Sequence, residues 1–165
     1  MLKWIFAFAL WFMAASAWSQ TINEAVEAVR KYSQAVLQRD IDSMASSTHT
    51  EVKNRAGGDR QYVALLRDFF ARLDAAGTPI VSEEVRQARA YQYPGGRLFL
   101  VRTTRYLESF PSRLPLPHVY VVVKPKDAVQ WSFIDLSCVS PAWVRNVVPQ
   151  FSDDGAIAEM LQDKE

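Results

Sequence analysis

IVSEEVRQARAYQYPGGRLFLVRTTRYL, residues 80–107, decides the fold. Two extended runs, Ile80–Tyr93 and Arg97–Leu107, flank Pro94-Gly95-Gly96, a strong hairpin signal. Along the second run Leu98, Leu100, Arg102, Thr104 and Tyr106 alternate with Phe99, Val101, Thr103, Arg105 and Leu107. That alternation predicts a sheet with one face covered by helices and the other partly wet. Working outward, His118–Lys124 and Val129–Ser137 flank Pro125-Lys126-Asp127 and predict a second hairpin. Ser109–Pro117, with three prolines, reads as an irregular loop between the hairpins.

Upstream of residue 79 the periodicity is helical. Ile22, Val26, Val29, Ser33, Val36 and Leu37 recur at spacings of three and four, and Tyr32 joins their stripe. Thr21 and Glu24 make a capping-box pattern at its start. Asp40-Ile41-Asp42 breaks the helix, and either aspartate can cap a short turn through Met44. Gly57-Gly58-Asp59 reads as a stop followed by a new cap. From there Tyr62, Leu66, Phe69, Phe70 and Leu73 form a second apolar face, ended by Gly77 and Pro79. At the far end Ser140-Pro141 opens a short helix through Val148, and Ala156–Leu161 forms another. Helices followed by antiparallel strands mean an α+β fold: N-terminal helices packed on a strongly curved sheet, with short C-terminal helices.

The first seventeen residues are an address. Lys3 precedes an apolar run that ends in Ala15-Ser16-Ala17, small residues of the kind a signal peptidase reads. The run from Trp4 to Ala17 is 14 residues, short of the roughly 20 a transmembrane helix needs. Cleavage before Trp18 is expected, leaving a single periplasmic or secreted domain over 18–165 with no membrane span; an uncleaved anchor is the alternative. Cys138, the one cysteine, is too far downstream to be lipidated at that site and excludes an internal disulfide. Net charge is +1, and without Lys3 the acids and bases balance, so nothing draws the domain to nucleic acid or anionic lipid.

Several local phrases occur in a telling order. Tyr32 stands with Ala35-Val36 on the first helix, and Arg39-Asp40-Ile41-Asp42 opens the second. His49 leads into a first short strand, and Gly57-Gly58 precedes Leu65-Leu66-Arg67-Asp68-Phe69-Phe70. Trp131-Ser132-Phe133-Ile134-Asp135 forms the last long strand. The layout resembles the NTF2-like superfamily, which includes ketosteroid isomerases and SnoaL-type cyclases, in its exported bacterial form. The resemblance covers about residues 22–137, with a helical tail over 140–165, and implies a cone whose open end holds a pocket. It implies that Tyr32 occupies the place of the isomerases' oxyanion-binding tyrosine. The place of their general base falls on Ala56, which cannot accept a proton; Glu51, the one carboxylate nearby, would need a shifted register.

His49 and His118 are the two histidines, and neither has a carboxylate or histidine at ligand spacing, so no metal or cofactor is expected. His118 follows Pro117 at a strand start, where a solvated side chain is the simple expectation. Asp135 sits on an inward strand face and needs a partner, which Arg102, Arg105 or Arg89 could supply. Trp131 shares its face with Phe133 and Asp135. The arginines of the strand region, interleaved with Tyr91, Tyr93 and Tyr106, read as cross-strand pairs on the solvent face rather than an RNA-binding sheet.

The reading is an exported non-catalytic domain that binds a small apolar or amphipathic ligand, or a protein partner, with Tyr32, Trp131 and Asp135 as ligand-binding residues. One alternative is a pocket enzyme of isomerase, cyclase or hydratase type using Tyr32 with His49 or Asp135. Another is an envelope interaction protein that forms a homodimer through the sheet.

Overall fold

The computed structural model describes residues 21–109, 111–136, 141–149, 151 and 154–162. The apolar segment with its expected cleavage site, Cys138 and the expected Ser140 cap lie outside these residues. The described elements are helix α1 over 21–38, α2 (Ile41–Ser47), α3 (Thr50–Arg55) and α4 (Asp59–Ala75), then strands β1 (Ile80–Tyr93), β2 (Gly96–Ser109), β3 (Ser112–Pro125) and β4 (Ser132–Asp135). Helices α5 (Pro141–Val147) and α6 (Asp154–Leu161) follow. The fold is α+β, with an open four-stranded antiparallel sheet in the order β1-β2-β3-β4. Among the described residues, no helix is long and apolar enough to cross a membrane.

The helices stop where the backbone can turn left-handed. At the ends of α3 and α4, Gly57 and Gly77 adopt positive φ and close paired bonds back onto the last turn. At the end of α1 the same motif is built on Arg39, at φ 55°, with Asp40 N–H bonded to the Ala35 carbonyl. A side chain at positive φ is strained. Arg39 is held there by two bonds to Asp74, at 2.6 and 2.7 Å, on the end of α4. Asp40 then caps α2, accepting from Ser43, and that helix runs three residues past Met44.

Three cap and face expectations are corrected. Thr21 is already helical, and Glu24 pairs with Arg97 of β2 rather than closing a capping box. Gly58, not Asp59, is the N-cap of α4. Leu37 is exposed, and Ala25, Val29, Tyr32, Ser33 and Val36 form the buried face of α1.

Ser109–Pro117 is not a loop: β3 begins at Ser112, with Leu114 opposite Leu107 and Leu116 opposite Arg105. The prolines survive because of register. Val119 accepts from Leu136 on the β4 side, so odd-numbered residues of β3 turn their main-chain groups away from β2. Pro115 and Pro117 therefore direct their missing N–H toward an edge that β4, paired with Tyr120–Val123, does not reach. β4 itself is shorter than expected, starting at Ser132 and leaving Val129 89% exposed.

Both sheet faces are covered around Leu98, Leu100 and Val121, whereas Arg102, Thr104 and Tyr106 stay half-exposed on the outer face, the one expected to be partly wet. On the helix-facing side Tyr32 stacks on Phe133 at 4.6 Å and meets Tyr120 edge-on at 5.4 Å. On the other side Tyr91 meets Phe151, and Arg89 binds Glu159 of α6 at 3.0 Å. Leu98, Leu100, Val121 and Ile134 are consequently buried. The core holds Val29, Val36, Leu66, Phe70 and Phe133, whereas Phe69 is only half-buried, edge-on to Phe70.

Candidate functional site

The helix-facing side of the sheet carries two neighbouring features: a buried polar cluster toward the middle of β2 and β3, and a groove at the β3–β4 turn. The cluster depends on a bulge. Counted straight back from the Tyr93–Gly96 pair, Glu83 would oppose Tyr106 on the outer face. An extra residue at Arg86 shifts the register, and Glu83 instead opposes Arg105 and turns inward.

There Arg105 Nε donates to Glu83 Oε1 at 3.1 Å, and its Nη2 donates to Asp135 Oδ2 at 2.8 Å and also to the Tyr120 hydroxyl. Thr103 Oγ1 donates to Glu83 Oε1 at 2.6 Å, and Tyr120 donates to Oε2 at 3.1 Å. His118 Nε2 lies 3.1 Å from Asp135 Oδ1, at ion-pair distance but without hydrogen-bond alignment, and its ring stands edge-on to Tyr120. All these side chains are buried.

Burial lowers the value of the guanidinium, but Asp135, Tyr120 and Glu83 outweigh it, so Arg105 is held well above its ordinary value and stays charged. Burial also pushes the Tyr120 hydroxyl up, with Arg105 opposing it, and keeps it a donor. In Tyr32, burial and then the charge of Asp135 raise the hydroxyl well above the tyrosine range, while a hydrogen bond with Thr48 pulls the other way. Arg105, Tyr120 and Tyr32 therefore keep their protons near neutral pH.

Two expectations are corrected here. His118 is buried in mid-strand rather than solvated at a strand start. Arg105 leaves the solvent-face ladder for the interior, whereas Arg86, bonded to Thr104 and Tyr106 at 3.2 and 2.6 Å, remains in that ladder. Of the three arginines weighed as partners for Asp135, Arg105 bonds it at 2.8 Å.

The groove, about 990 Å³, lies between α1, α2 and the β3–β4 turn. Tyr32, Phe133 and Trp131 form its floor; Trp131 also meets Phe99 edge-on at 5.6 Å. Its rim is polar, with Gln34, Gln38 and Gln130 beside Lys31 and Lys124. Two of the three expected ligand-binding residues, Tyr32 and Trp131, thus share one concavity. Asp135 does not line it.

His49 is elsewhere. Its N–H bonds the Phe133 carbonyl at 2.9 Å, next to an isolated bridge between Thr48 and Phe133, and its Nδ1 caps α3 by accepting from Glu51 N–H at 3.3 Å. Burial lowers its imidazole below the ordinary value, against the charge of Glu51. Glu51 is exposed on α3 with its carboxylate accepting from Asn54, and Ala56 is the C-cap of that helix. Among the described residues, no three His, Cys, Asp or Glu side chains are grouped to hold a metal. No protein-family model matches the chain, and no curated protein or solved structure matches it.

Proposed function

We propose that this chain is an exported NTF2-like domain that binds a small amphipathic ligand in the groove and performs no chemistry on it. The carrying observation is that the buried charge cluster does not line the cavity. Glu83, Arg105 and Asp135 satisfy one another and are absent from the groove's lining, which offers an aromatic floor, no histidine, and three carboxylates, Glu24, Glu27 and Asp40, engaged with other groups. The cone reading draws support from α1 against one face of the sheet, the bulged β1 and the short Thr48 bridge beside His49. Export rests on the sequence of residues 1–17, and fits a domain balanced in charge.

The enzyme reading asks Tyr32, His49 and Asp135 to converge, and His49 spends its acceptor nitrogen on a helix cap. The homodimer reading has α6 over part of the outer face and rests on the far end of β3. There Leu114 and Leu116, turned toward the helix side of the sheet, are 48% and 40% exposed.

Native mass spectrometry of the protein isolated from its own envelope fraction tests the proposal. Expected is a bound species of a few hundred daltons that is released on denaturation and missing from Trp131→Ala. A ligand retained by Trp131→Ala, or turnover of a released ligand by the pure protein, overturns it.

A further inference from the structure

Resting on that reading of the groove, we infer that the ligand carries an anionic head group, a carboxylate or sulfonate on an apolar body. The rim charges differ in what they already engage. Three carboxylates line the groove: Glu24 binds Arg97 at 3.3 Å, Glu27 binds Arg30 at 3.4 Å, and Asp40, still charged, is turned to the start of α2, where it accepts two bonds from Ser43. The two lining ammoniums, Lys31 and Lys124, have neither a carboxylate nor a hydrogen-bond acceptor among the described residues. Lys124 is held over the Trp131 ring, its Nζ 5.3 Å from the centroid. That contact orients the cation at the margin of the aromatic floor without neutralising it. An apolar body on Tyr32, Phe133 and Trp131 would bring an attached anion to this margin. The carboxamides of Gln34, Gln38 and Gln130 and the hydroxyls of Ser43, Ser46 and Ser47 supply neutral donors around the same rim.

The test is titration by calorimetry, below their micelle concentrations, with three probes that share a twelve-carbon chain: dodecanoate, dodecyl maltoside and dodecyltrimethylammonium. Dodecanoate should bind most tightly, and the Lys31→Gln/Lys124→Gln double variant should weaken it by about 5–10-fold while leaving the maltoside within about 2-fold. Lys31→Arg/Lys124→Arg should restore dodecanoate binding, which separates charge from folding. Equal binding of dodecanoate and maltoside, unaffected by the double variant, overturns the head-group inference and leaves the groove standing. Preference for the ammonium probe overturns it in favour of Glu24 and Glu27. Binding of none of the three overturns the groove reading itself.

Discussion

The cluster around Arg105 and the groove beside Trp131 lie on the same side of the same sheet, yet they use their polar groups in opposite ways. In the cluster two carboxylates and a guanidinium are buried, and their bonds run to one another and to Thr103 and Tyr120. In the groove the aromatic floor is open to a polar rim, and two ammoniums have no acidic partner among the described residues. Burial is what makes the first arrangement costly to alter, because a charge that loses its partner there has no water to replace it. Exposure makes the second cheap to alter and free to accept something else. The strongly raised values of Arg105 and Tyr120 therefore accompany mutual satisfaction inside the fold.

The comparison breaks first on Arg105. Arg105→Met leaves Glu83 and Asp135 buried without their cation and should cost about 3–5 kcal/mol in urea unfolding; a loss under about 1 kcal/mol would mean the cluster is wet. Trp131→Ala should do the reverse. Its ring is half-buried, so stability should fall by about 1–2 kcal/mol, while dodecanoate affinity should drop on the order of 10-fold. Loss of fold without a separable loss of affinity would make Trp131 a core residue only.

Tyr32 joins the two regions and sharpens the contrast. Tyr32→Phe keeps the ring on Phe133 and removes one buried hydroxyl, so unfolding should weaken by about 1 kcal/mol and dodecanoate affinity should stay within about 2-fold. Should any turnover be found, a fall on the order of 10²-fold in this variant with stability intact would restore an oxyanion role. The smallest effect belongs to His49. Its lowered imidazole value means that the fold prefers the neutral ring, so its share of stability is intact above about pH 6.5 and is lost as pH falls below that. His49→Asn keeps a capping acceptor that does not titrate, and the acid-side slope of stability against pH should flatten relative to wild type. An unchanged slope would show that Nδ1 does not hold the cap.

Much of this was legible in the sequence, and the misses have definite causes. Turn chemistry at Pro94-Gly95 and period-two alternation placed β1 and β2 within a residue or two, because both signals are local. The inward turn of Asp135 and its need for an arginine followed from burial alone. Glu83 was not legible, because a single bulge at Arg86 decides which face it occupies and nothing in the alternation announces it. The first half of β3 was hidden by prolines whose tolerance depends on an edge defined only by where β4 ends. His118 was misread for the same reason, since a strand that starts at Ser112 puts it in the middle. Phe69 and Phe70 are adjacent on α4, and the helical stripe cannot rank them; packing does, burying Phe70 and leaving Phe69 half out.

The separation of cluster from groove is tested most directly by the stability that dodecanoate adds to Asp135→Asn. Saturating ligand raises unfolding free energy by an amount set only by its concentration and dissociation constant. The account predicts a lower baseline for Asp135→Asn, by about 1–3 kcal/mol, with the same ligand-induced increment as wild type. An increment that disappears while the variant remains folded would mean that Asp135 serves the ligand, and would contradict the account.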